Sequence, residues 1–599
     1  MASPIEDYAI LSDCHTAALV SREGSIDWLC LPRYDSPSMF GALLGTEDHG
    51  LWTLRPTQAD ARTTRRYDGD GFILVTRWET ASGIAEVIDL MPHGDRRADV
   101  IRRVRGIEGT VEFTQQLRVR FDYARAVPWM RQAGTDAEPA LIGMGGPDAI
   151  VVRGAALTAS DHAHRGTVTV GAGETVDLVL TWFPSHREVP APIDVDAAIA
   201  ATVRWWSAWA DGIDHAGPHH EAVVRSLMVL RALTHEDTGG IVAAATTSLP
   251  EDFGGVRNWD YRYVWLRDAS LTLEALLDHG FVDEAQEWRG WLLRAIAGDP
   301  SDLQIMYGIA GERDLAERIL DHLPGYDGAA PVRIGNGAVA QYQADVIGEV
   351  MVALESARGA GLEETEFSWP LQRALLQFVE ENVDRPDNGI WEIREKPRFF
   401  THSRVMIWAA FDRGARAART YGLDGPVERW EELRDRLKAE IDAHGVDPEG
   451  GHFVQAYDST EVDAALLLLP QVGFCRADDP RMRGAVAAME RTLMHDGLLH
   501  RYRTSSGVDG LPGEEHPFLA CSFWLVEQYA AAGRLDDART LMDRLCALAN
   551  DVGLLAEEYD TTLRRHVGNT PQALSHLALV RAADALNGYS GRAAYRHAV

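Results

Sequence analysis

HEAVVRSLMVLRAL, residues 220–233, is where the chain changes its periodicity. Val223, Val224, Leu227, Leu230 and Leu233 recur at steps of three and four, one face of a helix with 3.6 residues per turn. Upstream the step is two. Phe72–Trp78 (FILVTRW), Ile84–Leu90 (IAEVIDL), Val111–Val119 (VEFTQQLRV) and Thr167–Trp182 (TVTVGAGETVDLVLTW) are rich in Val, Ile, Thr and aromatic residues. Several of these runs alternate in polarity, and Gly, Asp or Pro cut them, which predicts strands of an antiparallel sandwich. Ser185–Pro192 (SHREVPAP) carries two prolines and reads as a boundary, and the Ala- and Trp-rich Val195–Ala210 as a linker helix. The predicted organisation is a β-sandwich over residues 1–192, a helical linker over 193–218 and a helical domain over 219–599.

In the helical part a glycine followed by an apolar or basic residue recurs between helices, at Gly280-Phe281, Gly361-Leu362, Gly422-Leu423, Gly473-Phe474 and Gly533-Arg534. Each glycine supplies the left-handed residue that ends one helix, and acidic residues after it favour the start of the next. Such junctions predict helical hairpins arranged in a ring. Their irregular spacing and long intervening loops favour a closed toroid over an open solenoid.

With 599 residues the chain exceeds one ordinary core, and 46% apolar content is globular. No run approaches the roughly 18 uncharged apolar residues of a membrane span. The N-terminus has no basic segment ahead of an apolar one, so a secretory leader is not expected. Five scattered cysteines without CxxC spacing point to reduced thiols and a cytoplasmic location. The net charge of −32, spread along the chain, repels nucleic acid and anionic membranes and suits a small neutral substrate. A homo-oligomer is left open.

Four stretches mix rings with charges. RNWDYRYVWLRDAS (Arg257–Ser270) holds two Trp, two Tyr, two Asp and three Arg. That mixture suits a pocket that stacks rings on a sugar while Arg and Asp clamp its oxygens. It equally describes a buried ion-pair network beside a core Trp. PVRIGNGAVAQYQAD (Pro331–Asp345) adds Arg333, Asn336, Gln343 and Asp345. DNGIWEIREKPRFFTHS (Asp387–Ser403) places Glu392 directly after Trp391, an aromatic neighbour able to raise a carboxyl pKa, with Glu395 competing at i+3. GLLAEEYDTTLRRHVGNTPQ (Gly553–Gln572) has Glu557 and Glu558 side by side, so only one of them is expected to face a site. Two carboxylates meeting across a ring-lined pocket are what glycoside hydrolysis requires. Among 90 acidic residues, however, such pairs also arise as solvated or helix-capping groups. There is no GxxxxGK[ST] loop, no GxGxxG after a strand, no HExxH and no GxSxG elbow. His162 and His164 read as surface residues, and Cys521–Trp524 as helix core.

These stretches, with the opening Ile5–Gly45 and the blocks Leu303–Leu315 (LQIMYGIAGERDL) and Gly513–Gln528 (GEEHPFLACSFWLVEQ), resemble bacterial members of glycoside hydrolase family fifteen over nearly the whole chain. That family contains glucoamylases, glucodextranases and trehalases. The resemblance implies an N-terminal antiparallel β-sandwich followed by an (α/α)6 barrel, no cofactor, and inverting release of β-glucose from the non-reducing end of an α-glucoside. It assigns Glu392 as general acid and Glu557 as general base, and gives Arg267 and Asp268 the grip on the terminal glucose. Trp265, Tyr263 and Trp391 correspond to positions near that subsite, and Arg333 and Asp345 are counted with the substrate-binding residues. Trehalose is the first candidate substrate, with isomaltose-type or maltooligosaccharides as alternatives. A glycoside phosphorylase and a non-catalytic sugar-binding protein are the other classes considered. His516-Pro517 and Phe399-Phe400 depart from the usual pattern and bear on substrate choice.

Overall fold

Upstream of residue 190 the alternating polarity becomes fifteen antiparallel strands in two continuous layers. A computed structural model describes residues 3–94 and 96–588. The strand Ala98–Arg118 belongs to both layers. Its first half pairs with Gly83–Leu90 and Thr175–Pro184, its second with Leu51–Pro56 and Ala163–Gly171. The change of layer falls at Gly109, whose φ of +63° is a conformation that favours glycine. Between the layers Trp52, Phe72, Trp78, Val104, Phe113 and Leu117 are buried together. Each such side chain contributes about 1.5–3 kcal/mol by leaving water.

The linker is a helix over the predicted residues, α1 (Val195–Ala210), started by Asp194, whose carboxylate accepts from Ala197 N at 3.0 Å. Ile199 and Val203 lay α1 against Ile73, Leu90, Ile101 and Val179 of the sandwich. Among the described residues eleven helices follow: α2 (His220–Ala232), α3 (Leu266–Asp278), α4 (Val282–Ala295), α5 (Asp345–Gly359), α6 (Ser368–Glu381), α7 (Thr401–Tyr421), α8 (Val427–His444), α9 (Pro480–Thr492), α10 (Leu519–Ala531), α11 (Leu535–Cys546) and α12 (Ala573–Asn587).

They form an (α/α)6 barrel. α3 packs on α5, α5 on α7, α10 on α12 and α12 back on α3, while the 3-10 turn Ala464–Leu468 bridges α7 and α10 as the sixth inner stave. These inner elements are buried nearly all round, as a helix between two layers must be. α2, α4, α6, α8, α9 and α11 lie outside, each against an inner partner. The five junction glycines have φ of +94°, +94°, +68°, +79° and +79° in chain order; four of them directly follow a helix, while Gly473 follows the turns after Ala464–Leu468.

Candidate active site

RNWDYRYVWLRDAS folds as two short strands, Asn258–Asp260 and Val264–Trp265, running straight into α3. Trp265 is the residue at which α3 begins, so Arg267 and Asp268 fall in the first helical turn and at the mouth of the barrel. There they border a pocket with Trp259, Tyr261, Trp391, Glu392 and Arg501 also in its wall. Arg267 Nη1 donates to Ile390 O at 2.7 Å, and its Nη2 lies 3.3 Å from Asp268 Oδ2. Both side chains are about nine-tenths buried, so the remaining hydrogen-bonding capacity of the pair is directed at whatever fills the pocket.

Glu392 sits in the loop between α6 and α7 with φ of +58°, a strained setting for a residue with a Cβ. Its Oε1 accepts from Trp265 Nε1 at 2.6 Å, and its backbone carbonyl accepts from Gln341 Nε2 at 3.0 Å. Burial pushes its carboxyl above the usual range, while Arg267 and the Trp265 bond pull the other way. A carboxyl inclined to keep its proton beside a sugar oxygen can donate it. Glu395, the sequence competitor, is exposed on the surface. Trp391 is pinned from behind, its Nε1 donating to both Asp463 oxygens at 2.8 and 3.0 Å, with its ring against Phe518 and Trp524.

Glu557 immediately precedes the strand Glu558–Asp560, which pairs with Arg565–Val567. The extended backbone sends the two glutamates to opposite sides. Glu557 Oε1 accepts from Tyr261 OH at 2.6 Å and Oε2 from Asn569 N at 3.4 Å. Glu558 instead approaches Arg501 at 3.3 Å and accepts from His516 N at 3.0 Å. Gly568 makes room for Glu557, since a Cβ there would lie 2.6 Å from the Glu557 Cβ. Glu557 is fully buried, one side chain behind the pocket wall, and reaches it through Tyr261. Burial raises it to about 7 against the opposing pull of Arg501 and the Tyr261 bond.

The sequence reading missed the ion cluster beside this carboxyl. Arg257 binds Asp509 at 2.6 Å and Glu515 at 2.5 Å. Arg501 approaches Glu515 at 3.0 Å and Glu251 at 3.2 Å. Two guanidiniums thus face Glu251, Asp509, Glu515 and Glu558, more carboxylates than they can neutralise, in a buried setting. Glu251, on the pocket wall and bonded to Trp259 Nε1 at 3.0 Å, is accordingly raised to about 8, chiefly by burial. No spacing announces the cluster, because its partners stand some 250 positions apart. The doubled Arg of HRYR at 500–503 was the one signal available.

Three expected substrate-binding residues stand outside the pocket wall. Tyr263 turns its hydroxyl to accept from Gly335 N at 3.1 Å. Arg333 is held by Glu317 and by the Val256 and Asn258 carbonyls, and its guanidinium covers one face of Trp259. Asp345, the first residue of α5, is fully buried behind Arg267, which opposes the effect of its burial. Phe399 stacks on Tyr457, away from the pocket, whereas His516 lies near Asp252 and Asp560. His164 is part-exposed and His162 exposed on a hairpin of the sandwich, and Cys521–Trp524 is buried in α10.

Residues 217–584 match the family described as Glycosyl hydrolases family 15, and residues 1–180 match one described as Trehalase-like, N-terminal. The chain belongs to glycoside hydrolase family 15. Among family relatives, a trehalase of Mycobacterium tuberculosis is 37% identical, covering 97% of this chain and 89% of that protein. A trehalase of Thermoplasma volcanium is 34% identical, covering 97% and 93%. A bacterial glucoamylase complexed with acarbose superposes with a TM-score of 0.74 at 13% identity, over 98% of this chain and 94% of that one, a likeness of fold. The chain is a glycoside hydrolase acting on a sugar, with an antiparallel-sheet domain ahead of the helical domain that the family model matches.

Proposed function

We propose that this family 15 enzyme hydrolyses trehalose with inversion, Glu392 protonating the glycosidic oxygen and Glu557 activating water from the opposite face. The observation that carries the proposal is the paired holding of two carboxyls, Glu392 half-buried and Glu557 fully buried, by one segment: Trp265 bonds Glu392, and Tyr261 bonds Glu557. Arg267 and Asp268 line the same pocket as Glu392, placed to grip the hydroxyls of a terminal glucose. Glu392 supplies the acid and the Tyr261-bonded Glu557 the base, and because burial raises both carboxyls the pH profile should be a bell displaced upward from ordinary carboxylate values. Trehalose comes first because trehalases of 34–37% identity match along nearly the whole chain. Free thiols at all five cysteines agree with a cytoplasmic location.

An NMR time course with trehalose, isomaltose and maltose tests substrate and stereochemistry together. Trehalose should be cleaved fastest, with one glucose appearing first as the β-anomer. A faster isomaltose or maltose reaction would transfer the enzyme to glucohydrolase chemistry, and α-glucose appearing first would exclude inversion. Glu395→Gln should leave kcat within about twofold of wild type, since an exposed surface charge rarely matters by more.

A further inference from the structure

Arg262 is fully buried, and its guanidinium bridges the two domains. On its own segment it grips Asp260, Nε to Oδ1 at 2.8 Å and Nη2 to Oδ2 at 2.7 Å. On the sandwich side Nη1 donates to Ser36 O at 2.9 Å and Nη2 to Tyr123 OH at 2.9 Å. Tyr123 comes from an unusual loop. Asp122, Tyr123 and Ala124 have consecutive left-handed φ values of +50°, +54° and +68°, a strained run for residues with a Cβ. The loop is closed by reciprocal bonds between Phe121 and Ala126, and the barrel holds it in turn, His322 Nε2 lying 2.6 Å from Tyr123 O. A strained loop anchored to the other domain, ending in one hydroxyl on one buried arginine, is a device for placing that arginine.

Arg262 lies between the two aromatic donors of the site, next to Tyr261 and three positions before Trp265. The adjoining segment is tied to the sandwich as well, because Ala244 N donates to Tyr261 O at 2.9 Å and Trp28 Nε1 donates to Ala245 O at 2.9 Å. We propose that the N-terminal domain is part of the catalytic apparatus. Tyr123, acting through Arg262, is a positioning residue that sets where Tyr261 and Trp265 hold the Glu557 and Glu392 carboxyls.

This rests on the roles given above to the two glutamates. Facing Glu557 are Tyr261, Arg501, the Asn569 amide, Glu515, Glu251 and Glu558; facing Glu392 are Trp265, Arg267, Asp268 and Arg394. Of these, Tyr261 and Trp265 are the two carried on the Arg262 segment as hydrogen-bond donors that lower the carboxyl pKa values. Loosening them raises both groups, so both limbs of the bell move toward higher pH. Ordinary destabilisation lowers the height of the bell and leaves its limbs in place.

The test is the pH dependence of kcat and kcat/KM for the full chain carrying Tyr123→Phe and, separately, Arg262→Lys. Tyr123→Phe should lower kcat about three- to tenfold, with KM nearly unchanged, and shift both limbs upward; Arg262→Lys should do more of the same. Arg65→Gln, which removes an ion pair to Asp551 across the same domain boundary, is the control and should lower Tm without moving the limbs. The proposal is overturned if Tyr123→Phe superimposes on wild type, or if Arg65→Gln produces the same shift. Should Arg262→Lys fail to fold, Tyr123→Phe decides alone, since it keeps the ring and its volume. Near-normal activity in Glu392→Gln or Glu557→Gln would instead sink the underlying reading.

Discussion

Glu392→Gln should lower kcat on a disaccharide by about 10²–10⁴-fold, the usual contribution of a positioned general acid. The amide keeps the shape of the side chain and still accepts from Trp265 Nε1, so Tm should hardly change. The decisive comparison is α-glucosyl fluoride, whose leaving group needs no proton. The variant should cut it at close to the wild-type rate while failing on trehalose. Equal losses on both substrates would mean that Glu392 does something other than donate a proton, and undiminished trehalose cleavage would place the acid elsewhere.

Glu557→Gln should abolish both reactions, because water must be activated whatever the leaving group. That contrast separates base from acid. Glu251→Gln is the necessary companion, since Glu251 is on the pocket wall and Glu557 one side chain behind it. If Glu251→Gln were the more damaging change, the base would be Glu251 and Glu557 its support. Glu557 also carries a stability signature. Its folded carboxyl titrates near 7 against an ordinary value of 4.5, so the folded state holds a proton that the unfolded chain has released. The contribution is fully present below about pH 4.5 and disappears as pH rises through 7, and Tm of the wild type should fall over that window more than Tm of Glu557→Gln.

Much of this architecture was legible because it is written in local signals. The step of two before residue 190, the step of 3.6 after 219 and the five glycines each report a backbone requirement that depends on a few neighbouring residues. The sixth inner stave was not legible, because Ala464–Leu468 is a five-residue turn too short to show a helical period. At the site, Glu392, Arg267 and Asp268 line the pocket and Glu557 stands one side chain behind it, whereas Tyr263, Arg333 and Asp345 lie outside its wall. Tyr263 spends its hydroxyl on Gly335 N, while Asp345 begins a helix whose first turn is already inside the barrel. Glu251 and Arg501 were beyond reach. Their significance is electrostatic and long-range, and a charge count over separated segments exists only once the chain has folded.

The left-handed backbone at Glu392 sets this enzyme's adaptability against its durability. Glycine is the residue that this conformation favours, and replacing Glu392 by glycine would remove the torsional cost, on the order of 1 kcal/mol. Selection for heat resistance alone would therefore drift toward an inert protein at that position, and directed evolution of a hardier variant has to screen for turnover at every round.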